Sequence, residues 1–80
     1  MMEELSKGLE RIGLTSNEAQ IYLTLLKHGS SKVGKLSKIS QINRTTTYDV
    51  LKRLLDKGLI VYVVKGKVKY FEVSNPNQLK

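Results

Sequence analysis

Cysteine is absent from the eighty residues and histidine occurs once. Without thiols there is neither a disulfide framework nor a thiolate metal site, a usage that suits a reducing compartment. His28 alone cannot build a zinc site. Placed just before Gly29, it reads as a last-turn residue whose partial positive charge favours the helix dipole. No apolar run approaches membrane-spanning length. The start, M-M-E-E-L-S-K, lacks the basic and apolar blocks of a signal peptide, so the expected location is cytoplasmic. Glycine-rich phosphate loops, metal-ligand clusters and nucleophile–base pairs are missing too. Asp49 and Asp56 stand seven apart with no histidine nearby and read as solvated charges. These absences argue against an enzyme and against any cofactor or metal, and leave no small-molecule effector site evident. The length fits one domain, 1–80, near the lower end of what folds without staples.

Acidic residues are scarce in one part only. Lysine and arginine number 14 against 7 aspartate and glutamate, a net charge of +7. Over residues 1–26, Glu3, Glu4, Glu10 and Glu18 outnumber Lys7 and Arg11, a net −2. From residue 27 onward twelve basic residues face Asp49, Asp56 and Glu72, a net +9. A surplus confined in this way implies a basic working face and a polyanionic partner.

The apolar spacing divides the chain into elements. Leu5, Leu9 and Ile12 recur at helical intervals in an N-terminal helix within 1–13, weakened by Gly8 and ended by Gly13. Its apolar stripe is the favoured dimer element. Thr15 followed by Glu18 matches a capping box. The helix it opens runs to Gly29, with Ala19, Tyr22, Leu23 and Leu26 on one face and Ile21 and Leu25 on another. That much apolar perimeter implies burial on several sides, with the excess available to a second subunit. Ser30-Ser31 reads as the next capping pair, before a short helix in which Val33, Leu36 and Ile39 face inward. Lys32, Lys35 and Lys38 recur along another side. Gln41-Ile42 is a turn, with Ile42 a plug, and Asn43 caps the helix that follows.

That helix, 43–57, is the stretch the chain is organised around. Thr47, Leu51, Leu54 and Leu55 form its apolar stripe, while Thr45, Thr46, Asp49, Lys52, Arg53 and Asp56 point elsewhere. Three successive threonines are poor helix formers. They suit a surface that slides against phosphates or base edges. Gly58 ends the helix in a left-handed residue. L-I-V-Y-V-V and V-K-Y-F-E-V then read as two strands about a Lys65-Gly66-Lys67 turn, a wing at 60–73. Val68 and Tyr70 share one face of it, Lys67 and Lys69 the other. Short helix, turn and longer helix make a helix-turn-helix. The expected fold is therefore α+β, mainly α: a winged helix-turn-helix with a three-helix core, a preceding N-terminal helix and a two-stranded β-hairpin wing.

The wording adds a family. I12-G-L-T-S-N-E-A-Q-I-Y-L-T-L-L-K-H-G29 resembles the opening motif of the TrmB-like, sugar-responsive archaeal regulators. Arg44, Tyr48, Leu51, Leu54, Lys57, Gly58 and Leu59 fit that family's recognition-helix pattern, and Asn75-Pro76 to Leu79 resembles its closing motif. The threonine run departs from it. Larger relatives continue into a dimerisation segment and a sugar-binding domain, for which this chain carries no residues.

The resemblance implies a homodimeric transcriptional regulator that binds double-stranded DNA, with the helix from Arg44 in the major groove. On that reading the wing, 60–73, lies along the backbone or in the minor groove, and Arg44, Lys32, Lys52, Arg53 and the wing residues Lys65, Lys67 and Lys69 neutralise phosphates. Arg44, Thr45 and Thr46 reach base edges, arginine to guanine and threonine to a thymine methyl. Tyr48 is either a contact or a core packer with its hydroxyl at the rim. Two other functions compete with this one: a winged-helix protein–protein interaction module, and a sequence-tolerant DNA-coating protein.

Overall fold

Thr15 and Glu18 cap each other at the start of the first helix, as their spacing predicts. The Glu18 amide donates to the Thr15 hydroxyl at 3.1 Å and the Thr15 amide to the Glu18 carboxylate at 2.9 Å. The computed structural model describes residues 13–74. The N-terminal helix with Leu5, Leu9 and Ile12, and the closing stretch from Asn75, lie outside the described residues. Helix α1 spans Ser16–His28, α2 Val33–Ser40 and α3 Arg44–Asp56. Strands β1, Ile60–Lys65, and β2, Val68–Val73, pair antiparallel from Ile60 opposite Val73 to Lys65 opposite Val68. That register leaves a two-residue loop at Gly66-Lys67, one residue tighter than expected. Gly66 supplies its positive φ of 65°, which such loops demand.

The helices close around one apolar cluster. Ile21 and Leu25 of α1, Leu36 of α2, and Val50, Leu51 and Leu54 of α3 meet there with Ile60 and Phe71 from the base of the hairpin. Each such side chain contributes roughly 1.5–3 kcal/mol by leaving water. Thr47 belongs to the cluster's wall and is fully buried. Its hydroxyl donates to the Asn43 carbonyl at 2.9 Å, so the threonine holds its place on the stripe without an unpaired polar group. Val50 joins the stripe as well.

Three expectations need correction. Leu26 is 54% and Ile39 40% exposed. Leu26 occupies the last turn of α1 on a side that packing no longer covers, while Leu25 of the same turn is fully buried. In α2 the buried line runs Val33, Leu36, Ser40, and Ile39 falls to its side. Ser40 takes the inward place because its hydroxyl is satisfied by the Leu36 carbonyl at 2.6 Å. The third correction concerns Ser30-Ser31, which caps nothing. The N-cap of α2 is Lys32, without a side-chain bond, because Ser31 is engaged by the sheet. Its amide donates to the Phe71 carbonyl at 2.9 Å and its carbonyl accepts from the Phe71 amide at 2.8 Å.

The turn between α2 and α3 places Gln41 in the left-handed region, φ 60°, at a cost of about 1–2 kcal/mol for a residue with a Cβ. Two side chains hold it there. Ser37 donates to the Ile42 carbonyl at 2.6 Å, and Gln20 of α1 to the Ser40 carbonyl at 3.1 Å. The other end of α3 is fixed by an ion pair. Lys57 Nζ lies 2.9 Å from Glu18 Oε1, the carboxylate being 1% exposed. Burial by itself raises the Glu18 pKa. The Thr15 amide, the Lys57 ammonium and the charge of Arg53 outweigh it, and the pKa falls below its ordinary value.

A depressed carboxylate pKa contributes stability that is present above the unfolded value, about 4.3, and lost as pH falls through the folded value. Glu18→Gln keeps the capping box, which accepts glutamine, and removes the charge. The variant is expected to lose about 2 kcal/mol at neutral pH, less than for a fully enclosed pair because Lys57 can rehydrate. Urea midpoints measured from pH 7 downward should converge with wild type as the solution becomes more acidic than the folded Glu18 pKa.

Candidate nucleic-acid interface

Helix α3 turns Thr47, Val50, Leu51 and Leu54 inward. At 100° per residue, Thr45, Asp49, Lys52 and Asp56 then occupy the opposite, outward line. Arg44 and Tyr48 lie on the flank toward the hairpin, and Thr46 and Arg53 on the other flank. Thr46 is half-buried, with its amide donated to the Asn43 side chain at 2.7 Å. Arg53 is exposed, and its charge helps keep Glu18 ionised.

Between α3, the start of α2 and the hairpin runs an open cleft of about 500 Å³. Lys32, Arg44, Lys67 and Lys69 bring four cations to it, with Tyr48 beside them; Val33, Gly34, Val68 and Phe71 complete the wall, and among the described residues no acidic side chain lines it. The first-turn amides of α2 open beside these cations and no side chain caps them. An uncapped helix start next to convergent positive charge suits an anionic oxygen.

Five of the ten sequence-chosen residues, Lys32, Arg44, Tyr48, Lys67 and Lys69, therefore share one concavity. Thr45 and Lys52 adjoin it on the outward line of α3. Lys65 does not share it. Lys65 stands opposite Val68, a wall residue, but its ammonium lies over the Tyr70 ring, 5.7 Å from the centroid. Lys69 is on the opposite face of the hairpin, 4.7 Å from the Tyr62 ring, a cation–π contact that restrains its long side chain. Tyr48, 52% exposed, is not a core packer: it lies on the flank of α3, about a quarter-turn from the buried Thr47, and opens into the cleft.

Sequence reasoning missed Val33, Gly34, Val68 and Phe71 as wall residues, and missed that Lys57 is committed to Glu18. A partner 39 positions away leaves no local signal. Gly34 did carry one, since a glycine in the first turn of a helix has no helical purpose. Among the described residues no group of three or more histidine, cysteine or acidic side chains is placed to hold a metal ion. None of their helices is long and apolar enough to cross a membrane.

A family model described as the sugar-specific transcriptional regulator TrmB matches residues 9–77. TrmBL1 of Pyrococcus furiosus, an HTH-type sugar sensing transcriptional regulator, is 43% identical over 74 residues, or 92% of the chain. The chain spans only 21% of that relative's length. Among solved structures, TrmBL2, described as an archaeal chromatin protein with a novel mode of DNA binding, matches with a TM-score of 0.82 at 26% identity, over 96% of this chain and 29% of its own. A MarR family transcriptional regulator from Silicibacter pomeroyi matches with a TM-score of 0.78 at 19% identity, over 95% of this chain and 53% of its own. That second likeness is one of fold: three helices and a hairpin wing, mainly helical α+β.

A β-carbon added at Gly34 meets nothing within 4 Å, so Gly34→Glu directs a carboxylate into the cleft without a clash. At a helix start it should stabilise the fold by up to about 1 kcal/mol. Elution from heparin is expected at distinctly lower salt, with an unchanged or raised melting temperature. An unchanged elution point would show that the cleft is not where polyanions bind.

Proposed function

The chain belongs to the TrmB family of sugar-specific transcriptional regulators, and on that premise we propose that this winged-helix domain binds double-stranded DNA sequence-specifically as a dimer. The cleft carries the proposal: four cations converge beside α3 with no acidic residue among them. In this reading α3 enters the major groove, and Arg44 and Thr45 meet base edges at its N-terminal end. Thr46, half-buried on the far flank, reaches the edge of that contact. Lys32, Lys67 and Lys69 grip the phosphates of the strand that borders the groove. Lys52 and Arg53 extend the positive field along α3, and Lys65 faces a neighbouring phosphate from the far side of the hairpin. A wing that ends in a two-residue loop favours a backbone clamp over a probe of the minor groove.

Bound near a promoter in the cytoplasm, such a dimer would act by occupancy, blocking or recruiting polymerase. Its two α3 helices would lie about one DNA turn apart, ~34 Å, on a roughly palindromic site. The apolar stripe of Leu5, Leu9 and Ile12 is the proposed subunit contact. Leu9→Glu is expected to convert the dimer to monomer in sedimentation and to weaken binding to a two-half-site duplex more than to a single half-site. A sequence-tolerant coating protein is the second reading. It is favoured by the likeness to TrmBL2, which is described as a chromatin protein.

One titration separates the two. Affinity for a selected duplex and for unrelated duplexes is measured across a salt series. Lys67→Ala with Lys69→Ala should reduce the slope of log affinity against log salt by about 2, equally for all sequences. Arg44→Ala with Thr45→Ala should instead shrink the gap between selected and unrelated DNA. Equal wild-type affinity for every duplex would establish the coating reading, and a salt-independent affinity would remove both.

A further inference from the structure

Asp49 stands where a carboxylate is costly. It is exposed on the outward line of α3, one turn beyond Thr45 and one turn before Lys52 and Arg53. Among the described residues the one ion pair joins Lys57 to Glu18. Neither Lys52 at i+3 nor Arg53 at i+4 closes on Asp49, so its charge is not neutralised from within the helix. The same line carries Asp56, but that residue ends α3, away from the N-terminal half that enters a groove.

A free carboxylate carried into the major groove meets phosphates that repel it and loses its hydration. The loss is offset only by a hydrogen-bond donor, since an ionised carboxylate is solely an acceptor. Guanine offers N7 and O6 acceptors there, and thymine an O4 acceptor and a methyl group. Adenine pairs its amino donor with an acceptor at N7, which a carboxylate cannot satisfy. Cytosine offers its N4 amino group alone.

We propose that Asp49 is a specificity-determining residue that accepts a hydrogen bond from a cytosine N4 amino group in the major groove. This rests on the reading that α3 occupies that groove. Asp49 then acts against every other base as much as for cytosine. It lies outside the basic cleft, so its contribution to non-specific affinity is negative while its contribution to sequence choice is positive.

The test is selection of bound duplexes from random DNA by the full chain and by Asp49→Ala and Asp49→Asn. Wild type is expected to recover a motif with a cytosine column in each half-site. Replacing that base should weaken wild-type binding by roughly five- to a hundredfold. In Asp49→Ala the same column should become indifferent while the others persist, and affinity for unrelated DNA should rise. In Asp49→Asn, nearly isosteric with wild type, preference should move toward adenine. A wild-type motif retained unchanged by both variants overturns the role of Asp49 and leaves the DNA-binding reading standing. Recovery of no motif by wild type overturns the sequence-specific reading itself, and Asp49 with it.

Discussion

Two backbone hydrogen bonds between Ser31 and Phe71, 2.9 and 2.8 Å long, decide how the hairpin sits against the helices. They add a one-residue third partner to a two-stranded ribbon that on its own would be marginal. Phe71 is then drawn into the core, and the residue after Ser31 becomes the start of α2. One contact thus orients the wing and positions the first turn of α2, which together with Arg44 form the walls of the cleft. The Ser31 side chain is fully enclosed and its hydroxyl is satisfied by the Gly29 carbonyl at 2.9 Å. The junction therefore leaves no polar group of Ser31 unsatisfied, which a buried crossing point requires.

The basic residues divide by what neutralises them. Lys57 is paired with the buried Glu18 and binds α3 to the start of α1. Lys65 and Lys69 each rest near a tyrosine ring on opposite faces of the hairpin. Lys32, Arg44 and Lys67 meet no carboxylate among the described residues and share the cleft with Lys69. A net charge of +7 therefore overstates how many cations a ligand can use in one place, and understates how concentrated those few are. Focused charge in a concave site raises local potential more than the same charge scattered over a surface.

Polar residues in unusual places follow the same economy. Thr47 and Ser40 occupy inward positions on α3 and α2, each with its hydroxyl returned to a carbonyl four residues back. Gln41 accepts left-handed strain, φ 60°, to make the turn between those two helices. The geometry of that turn sets the direction of α3, and hence which of its residues face outward.

Much of the fold was legible because it rests on short-range chemistry. The capping box at Thr15, the cap at Asn43, the left-handed Gly58 and the stripe of α3 all lie within a few residues of their cause. The winged-helix order and the kinship with TrmB regulators followed from the same local patterns. The tertiary structure alone decided what depends on distant partners. Ser31 reads as a cap because nothing nearby marks its bond to Phe71, forty residues on. Nothing near Lys57 in the chain marks its pairing with Glu18, and whether Tyr48 packs inward or makes a contact depends on where the hairpin lies. By itself the sequence determined which residues are basic and which helix carries them, since periodicity is a property of neighbours. Which of those residues converge was decided by packing between elements, and that pairing is written nowhere along the chain.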